Sequence, residues 1–106
     1  MATYKVLAQS APSATTATTL YTATSATIVS TINVANLNAT ADTIRIAVRP
    51  AGASLANQHY LAYGIQVPPG AIFTFTGGVT LANTDVITVY STTGNSAFSA
   101  FGSEGN

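Results

Sequence analysis

From Asp42 to Val67 the chain reads DTIRIAVRPAGASLANQHYLAYGIQV, with apolar residues at every second position on both sides of a break. Ile44, Ile46 and Val48 alternate with Thr43, Arg45, Ala47 and Arg49. Beyond Arg49-Pro50-Ala51-Gly52, the residues His59, Leu61, Tyr63, Ile65 and Val67 repeat the rhythm. Side chains alternate across a strand, so a period of two marks a strand with one buried face. The stretch predicts two strands joined by a loop, with apolar faces turned into a core and the arginine face turned out. Nowhere does the sequence place apolar residues at helical spacing over two full turns.

The rest of the chain follows the same grammar. Tyr4 to Gln9 reads as a first strand, with Tyr4, Val6 and Ala8 on one face. Ser10 to Thr19 is small in side chain, and Pro12 cannot donate to a ladder. That segment reads as an extended arm or long loop that orders best against a partner subunit, with Leu20-Tyr21-Thr22 anchoring the chain's return. Ala26 to Asn36 predicts a strand of β-branched residues, with Ile28, Ile32 and Val34 on one face and Thr27, Val29, Thr31 and Asn33 on the other. Asn36 to Asp42 has turn chemistry, which also accounts for the glycosylation-like triplet Asn38-Ala39-Thr40.

Pro68-Pro69-Gly70 makes a tight reversal before Ile72 to Thr76, which sends Phe73 and Phe75 to one side. Gly77-Gly78 turns the chain into a brief Val79–Leu81 strand. Asp85 to Ser91 puts Val86, Thr88 and Tyr90 opposite Ile87 and Val89. Thr93-Gly94-Asn95-Ser96 reads as a hairpin-type turn, Ala97 to Phe101 as the last strand and Gly102 to Asn106 as a polar tail. About seven to nine short strands with such turn spacing define an all-β protein, an antiparallel β-sandwich of immunoglobulin-like or jelly-roll type.

At 106 residues the chain is one domain, with 1–19 as N-terminal strand and arm and 20–106 as the sandwich. It has no cysteine, which removes disulfides and thiolate metal sites. The start, MATYKVLAQSAP, lacks the pattern of a signal peptide, and no run approaches the roughly 18 apolar residues of a membrane span.

Charged residues are 6% of the chain, with Lys5, Arg45 and Arg49 balancing Asp42, Asp85 and Glu104. An ordinary domain carries about a quarter. Such a chain has no long-range field for nucleic acid or a membrane surface. Three readings fit so neutral an exterior: an inert extracellular or virion protein, a surface packed against neighbours, or a monomer kept soluble by its hydroxyls.

Arg45 and Arg49 lie four residues apart on one strand face, roughly 13 Å from each other. One reading has them bind carboxylates of a neighbouring subunit or a ligand phosphate. The other has Arg45 stack on Tyr60 or another outward aromatic, and Arg49 pair with a local acid. Either leaves both residues suited to an interface, where arginine is enriched. His59 has no second histidine, cysteine or adjacent carboxylate, so ligation or base chemistry lacks partners. It reads as a solvated or hydrogen-bonded residue at a strand start. The serines and threonines have no positioned base, and Gly77-Gly78 lacks the context of a phosphate loop. The four phenylalanines, at strand spacing, read as core more readily than as a binding platform. Tyr60 and Tyr63 lie on opposite faces of a regular strand, so one of them is exposed and available to a sugar or a protein.

From Leu20-Tyr21-Thr22 to the C-terminus the chain resembles a small structural module of tailed bacteriophages, especially those infecting cyanobacteria. The resemblance rests on Ile44-Arg45-Ile46-Ala47-Val48-Arg49-Pro50, on His59-Tyr60-Leu61-Ala62-Tyr63, on Leu81 through Tyr90, and on Phe101-Gly102-Ser103-Glu104. The chain departs from the pattern at Gly64, where an acidic residue is expected. The resemblance implies a non-enzymatic virion protein, made in the host cytoplasm and placed on capsid or tail. Its partners would be copies of itself and major capsid or tail proteins, without nucleic acid, membrane or cofactor.

Composition and resemblance together predict a cement or decoration protein of the capsid, or an accessory protein of tail or baseplate. Candidate contact residues are Pro12 in the arm, Arg45 and Arg49 on the strand face, His59 and Tyr60, and Glu104 in the tail. The alternative is an adhesin module of a tail fibre, using Tyr60, His59 and loop asparagines on a surface glycan.

Overall fold

The computed structural model describes residues 3–76 and 78–105. Gly77 of the expected glycine turn, Asn106 of the expected tail and the facing of Tyr4 lie outside what is described. Nine strands follow in order: β1 (Thr3–Ser10), β2 (Thr18–Thr22), β3 (Thr27–Asn36), β4 (Asp42–Arg49), β5 (Tyr60–Val67), β6 (Ile72–Phe75), β7 (Val79–Leu81), β8 (Val86–Ser91) and β9 (Ser96–Glu104). Two short 3-10 turns, Pro50–Gly52 and Asn57–His59, lie between β4 and β5.

The strands form two antiparallel sheets. One has the order β1-β9-β3-β6, with β7 also paired to β3, and the other has β2-β8-β4-β5. Because β6 pairs with Ile32–Ala35 and β7 with Thr27–Val29, the two share one edge position along β3. Of the strand connections, β4 to β5 and β6 to β7 stay within their sheets and the other six cross from one sheet to the other. That order is the jelly-roll of two Greek keys, which decides between the two sandwich types expected. Thr93–Ser96 is therefore a crossing between sheets rather than a hairpin within one.

Between the sheets, Ile32, Val34, Ile44, Ile46, Val67, Ile87, Val89 and Phe98 are fully buried. Each such side chain contributes about 1.5–3 kcal/mol relative to exposure. Phe73 and Phe75 pack against this cluster from the edge. At one end the core gives way to polar groups that join strands of both sheets. Asn36 donates from its amide to the carbonyls of Thr40, Val67 and Pro68 at 2.9–3.2 Å. The fully buried Asp42 accepts from the Ser91 and Ser96 hydroxyls and from the Thr93 amide.

Bulges change which way several strands face. A bulge inserts one unpaired residue, so the alternation restarts one position later. In β3 the register skips Ser30. Val29 and Ile32 are consequently both buried, and Ile28 is 56% exposed rather than sharing a face with Ile32. In β1 the skip falls at Leu7, which leaves Val6 outward and lets Leu7 and Ala8 both reach the core.

The N-terminal arm is shorter than its composition implies. Its last residues begin β2, where Thr18 and Thr19 pair with Val89 and Thr88 of β8. Before that, Ala14 bridges to Ser91, and the Thr15 amide donates to the Ser91 carbonyl at 2.9 Å. The expected polar tail is strand through Glu104, because β9 lies between β1 and β3 and both pair with it to that residue.

Candidate binding face

On the outer face of the second sheet, β4 presents Arg45 between its two neighbours. Arg45 pairs in register with Tyr63 of β5 and with Tyr90 of β8. The guanidinium carbon sits 4.4 Å from the Tyr63 ring centroid and 4.3 Å from that of Tyr90. A cation between two ring faces gains from both quadrupoles, about 0.5–1 kcal/mol each when exposed and up to ~2 when desolvated. Arg45 thus stacks on outward aromatics of the paired strands, and of the partners expected these are Tyr63 and Tyr90 rather than Tyr60.

Tyr60 completes the row. Its ring meets that of Tyr63 edge to face, with centroids 4.8 Å apart. A regular strand would separate these two tyrosines onto opposite faces. Here Ile44 pairs with Ile65 but Arg45 with Tyr63, and Ile46 pairs with Ala62 but Ala47 with Tyr60. Gly64 and Leu61 are the extra residues, and Gly64 has φ +71, a backbone angle that glycine adopts without a Cβ penalty. Of these two bulges, the one at Leu61 brings Tyr60 and Tyr63 to the same side, and the one at Gly64 makes that side the outer one. Together the bulges also turn Leu61 and Tyr63 outward, at 41% and 60% exposure, against the expectation that both point inward. The isolated glycine inside a strand was the available signal.

Asn57, Tyr60 and Tyr63 line a shallow depression of about 340 Å³ beside this row. Arg45 has one peculiarity: its Nε is shielded from solvent and has no hydrogen-bond partner among the described residues. Buried donors of this kind are rare in native proteins.

Of the other expected contact residues, Pro12 and His59 are buried, and Arg49 and Glu104 make their bonds within the subunit. Arg49 donates from Nε to the Thr88 hydroxyl at 3.0 Å and from Nη1 to the carbonyls of Gly52 and Ala53 at 3.3 and 3.0 Å. It holds the β4–β5 loop by backbone carbonyls rather than pairing with an acid. The nearby acid, Asp85, accepts from the Ala51 and Ala82 amides at 2.9 Å each, and these bonds hold its carboxyl below the ordinary value. Arg49→Met is expected to free residues 50–56 for limited proteolysis and lower stability by roughly 1–2 kcal/mol. Unchanged cleavage kinetics would mean the loop holds its shape without the arginine.

His59 is 9% exposed, and its Nδ1 accepts from the Ala56 amide at 3.1 Å while its own amide donates to the Ala56 carbonyl. It is a hydrogen-bonded residue at a strand start. Pro12 is buried. Glu104 forms an ion pair with Lys5 and accepts from the Tyr21 hydroxyl at 2.9 Å, with 15% of its side chain exposed. Those partners lower the Glu104 carboxyl, and the same pairing raises the Lys5 ammonium. Among the described residues no three His, Cys, Asp or Glu side chains gather as metal ligands would. No family model, curated protein or solved structure matches the chain.

Proposed function

We propose that this is a non-enzymatic structural protein of a tailed-phage particle, a cement or decoration protein of the capsid or an accessory protein of the tail. One observation carries the reading. All six formal charges are engaged within the subunit: Lys5 with Glu104, Arg49 and Asp85 with loop backbone, Asp42 with buried hydroxyls and Arg45 between rings. Away from the half-exposed Lys5 and the Arg45 row, the faces left outside are hydroxyls, amides and apolar groups. A neighbour can cover such faces without desolvating an ion, which is the costly step in burying charge.

The outer face of the first sheet suits this best, because Val6 and Ile28 are about half exposed there and Phe101 lies between their strands. Light scattering behind size exclusion is expected to find a multimer of the purified protein. Ile28→Glu is expected to dissociate it while changing monomer stability by less than about 0.5 kcal/mol. A monomer at all concentrations, together with unaltered heat resistance of particles stripped of the protein, would overturn the proposal.

A second reading, glycan binding at a fibre or particle surface, is favoured by the Asn57, Tyr60 and Tyr63 depression. Exposed ring faces and an amide beside them are groups that hold a sugar's C–H face and its hydroxyls.

A further inference from the structure

We infer that the Arg45 row is a recognition site for a carboxylate-bearing saccharide, an inference that rests on the glycan-binding reading and specifies its ligand class. Arg45 is the cation that the fold leaves without a counter-charge or a hydrogen bond among the described residues. Lys5 is matched by Glu104, and Arg49 is spent on Thr88, Gly52 and Ala53. Tyr63 and Tyr90 cover both faces of the Arg45 guanidinium. Its Nε edge is shielded, yet the residue as a whole keeps partial exposure. Contact from outside is therefore made end-on, at the Nη groups.

A guanidinium so placed is stripped of water above and below but retains in-plane donors. That arrangement strengthens a charge-assisted hydrogen bond to a planar anion. Arg49 shares this face of β4, but its donors are taken by Thr88, Gly52 and Ala53, so Arg45 is left as a single cation to neutralise a monoanion. A phosphate dianion would be left with excess charge, and a nucleic acid backbone needs a row of cations. Beside the arginine, the 60% exposed Tyr63 ring and the Asn57 and Tyr60 depression offer an apolar plane with an amide at its edge. A pyranose ring carrying one carboxylate matches both parts at once, with its C–H face on Tyr63 and its carboxylate at Arg45.

The test compares trigalacturonate, maltotriose and a tri-glutamate peptide by titration against the intact protein, followed by tyrosine fluorescence and by calorimetry. Trigalacturonate is expected to bind roughly tenfold or more tighter than maltotriose, the advantage of one charged hydrogen-bonding pair. Arg45→Gln is expected to erase that advantage, so that the two sugars bind alike, and Tyr63→Ala to weaken both. Arg45→Lys, which keeps the charge but loses the planar fork, is expected to fall between, and covers the case in which the glutamine variant folds poorly. Equal affinity for the two sugars overturns the acidic assignment while the glycan reading stands. No binding of either sugar overturns both. Tighter binding of the peptide overturns the saccharide in favour of an acidic protein partner.

Discussion

Replacing Asp42 with alanine is expected to lower stability by about 3 kcal/mol or more, and the melting temperature by roughly 12 °C or more. The carboxylate is fully buried, yet it serves three donors from the crossing between β8 and β9: the Ser91 and Ser96 hydroxyls and the Thr93 amide. Ser91 in turn accepts from the Gly94 amide at 3.0 Å, so one side chain organises the whole turn. Alanine leaves those donors in a dry site without an acceptor, and each unsatisfied group costs about 1–3 kcal/mol.

The pH dependence follows from the same contacts. Burial pushes the Asp42 carboxyl up, but the bonds from Ser91, Ser96 and Thr93 outweigh it and hold it below its ordinary value. Glu104 and Asp85 are lowered as well, by Lys5 and Tyr21 and by loop amides respectively. A carboxyl depressed in the folded state contributes stability above the unfolded value, near 4, and loses it as pH falls through the folded value. Lys5 is raised, so its share is present below about 10.4 and disappears as pH rises beyond the folded value. Urea midpoints are expected to be flat from about pH 5 to 10 and to fall on either side. In Asp42→Asn the acid limb should be shallower. A limb of unchanged slope would show that Asp42 does not carry it.

Gly102→Ala is the second substitution expected to have a large effect, about 3 kcal/mol of lost stability. A Cβ there would lie 2.0 Å from the Ile28 carbonyl oxygen and 2.9 Å from the Val29 Cα. Both are backbone atoms of β3 at its bulge, so no side-chain rotation relieves the overlap. The neighbouring Ser103→Ala, on the opposite face of β9, is expected to change stability by no more than about 0.5 kcal/mol. Similar melting of both variants would mean that the β3–β9 approach opens at little cost.

Gly102 also marks where local reading ended. Glycine, serine and a terminal position resemble a tail when each residue is weighed alone. The segment is strand because β1 and β3 pair with it from both sides, a contact between residues at opposite ends of the chain. The same applies to β2, whose Thr18–Thr22 stretch is too short and too polar to announce itself, and is held by β8. By contrast, β4, β6, β7 and β8 fall close to where alternation and turn residues place them.

The binding face shows the division most clearly. Arg45, Tyr60 and Tyr63 stood out in the sequence as an outward arginine and two tyrosines, but no rule of regular strands puts those tyrosines together. The extra residue Leu61 does so, and Gly64, by a second change of phase against β4, turns the pair outward. Tyr90 joins only because β8 lies on the other side of β4.

Taken alone, the order of residues determined an all-β chain, the places of most strands and turns, and a nearly ionless composition, since backbone propensity and side-chain alternation act between near neighbours. Which face each bulged strand shows, which sheet it joins and what surrounds each charge were decided by pairing across the two sheets. One unpaired residue reverses a strand's facing, and that choice is settled by the distant strands it must fit.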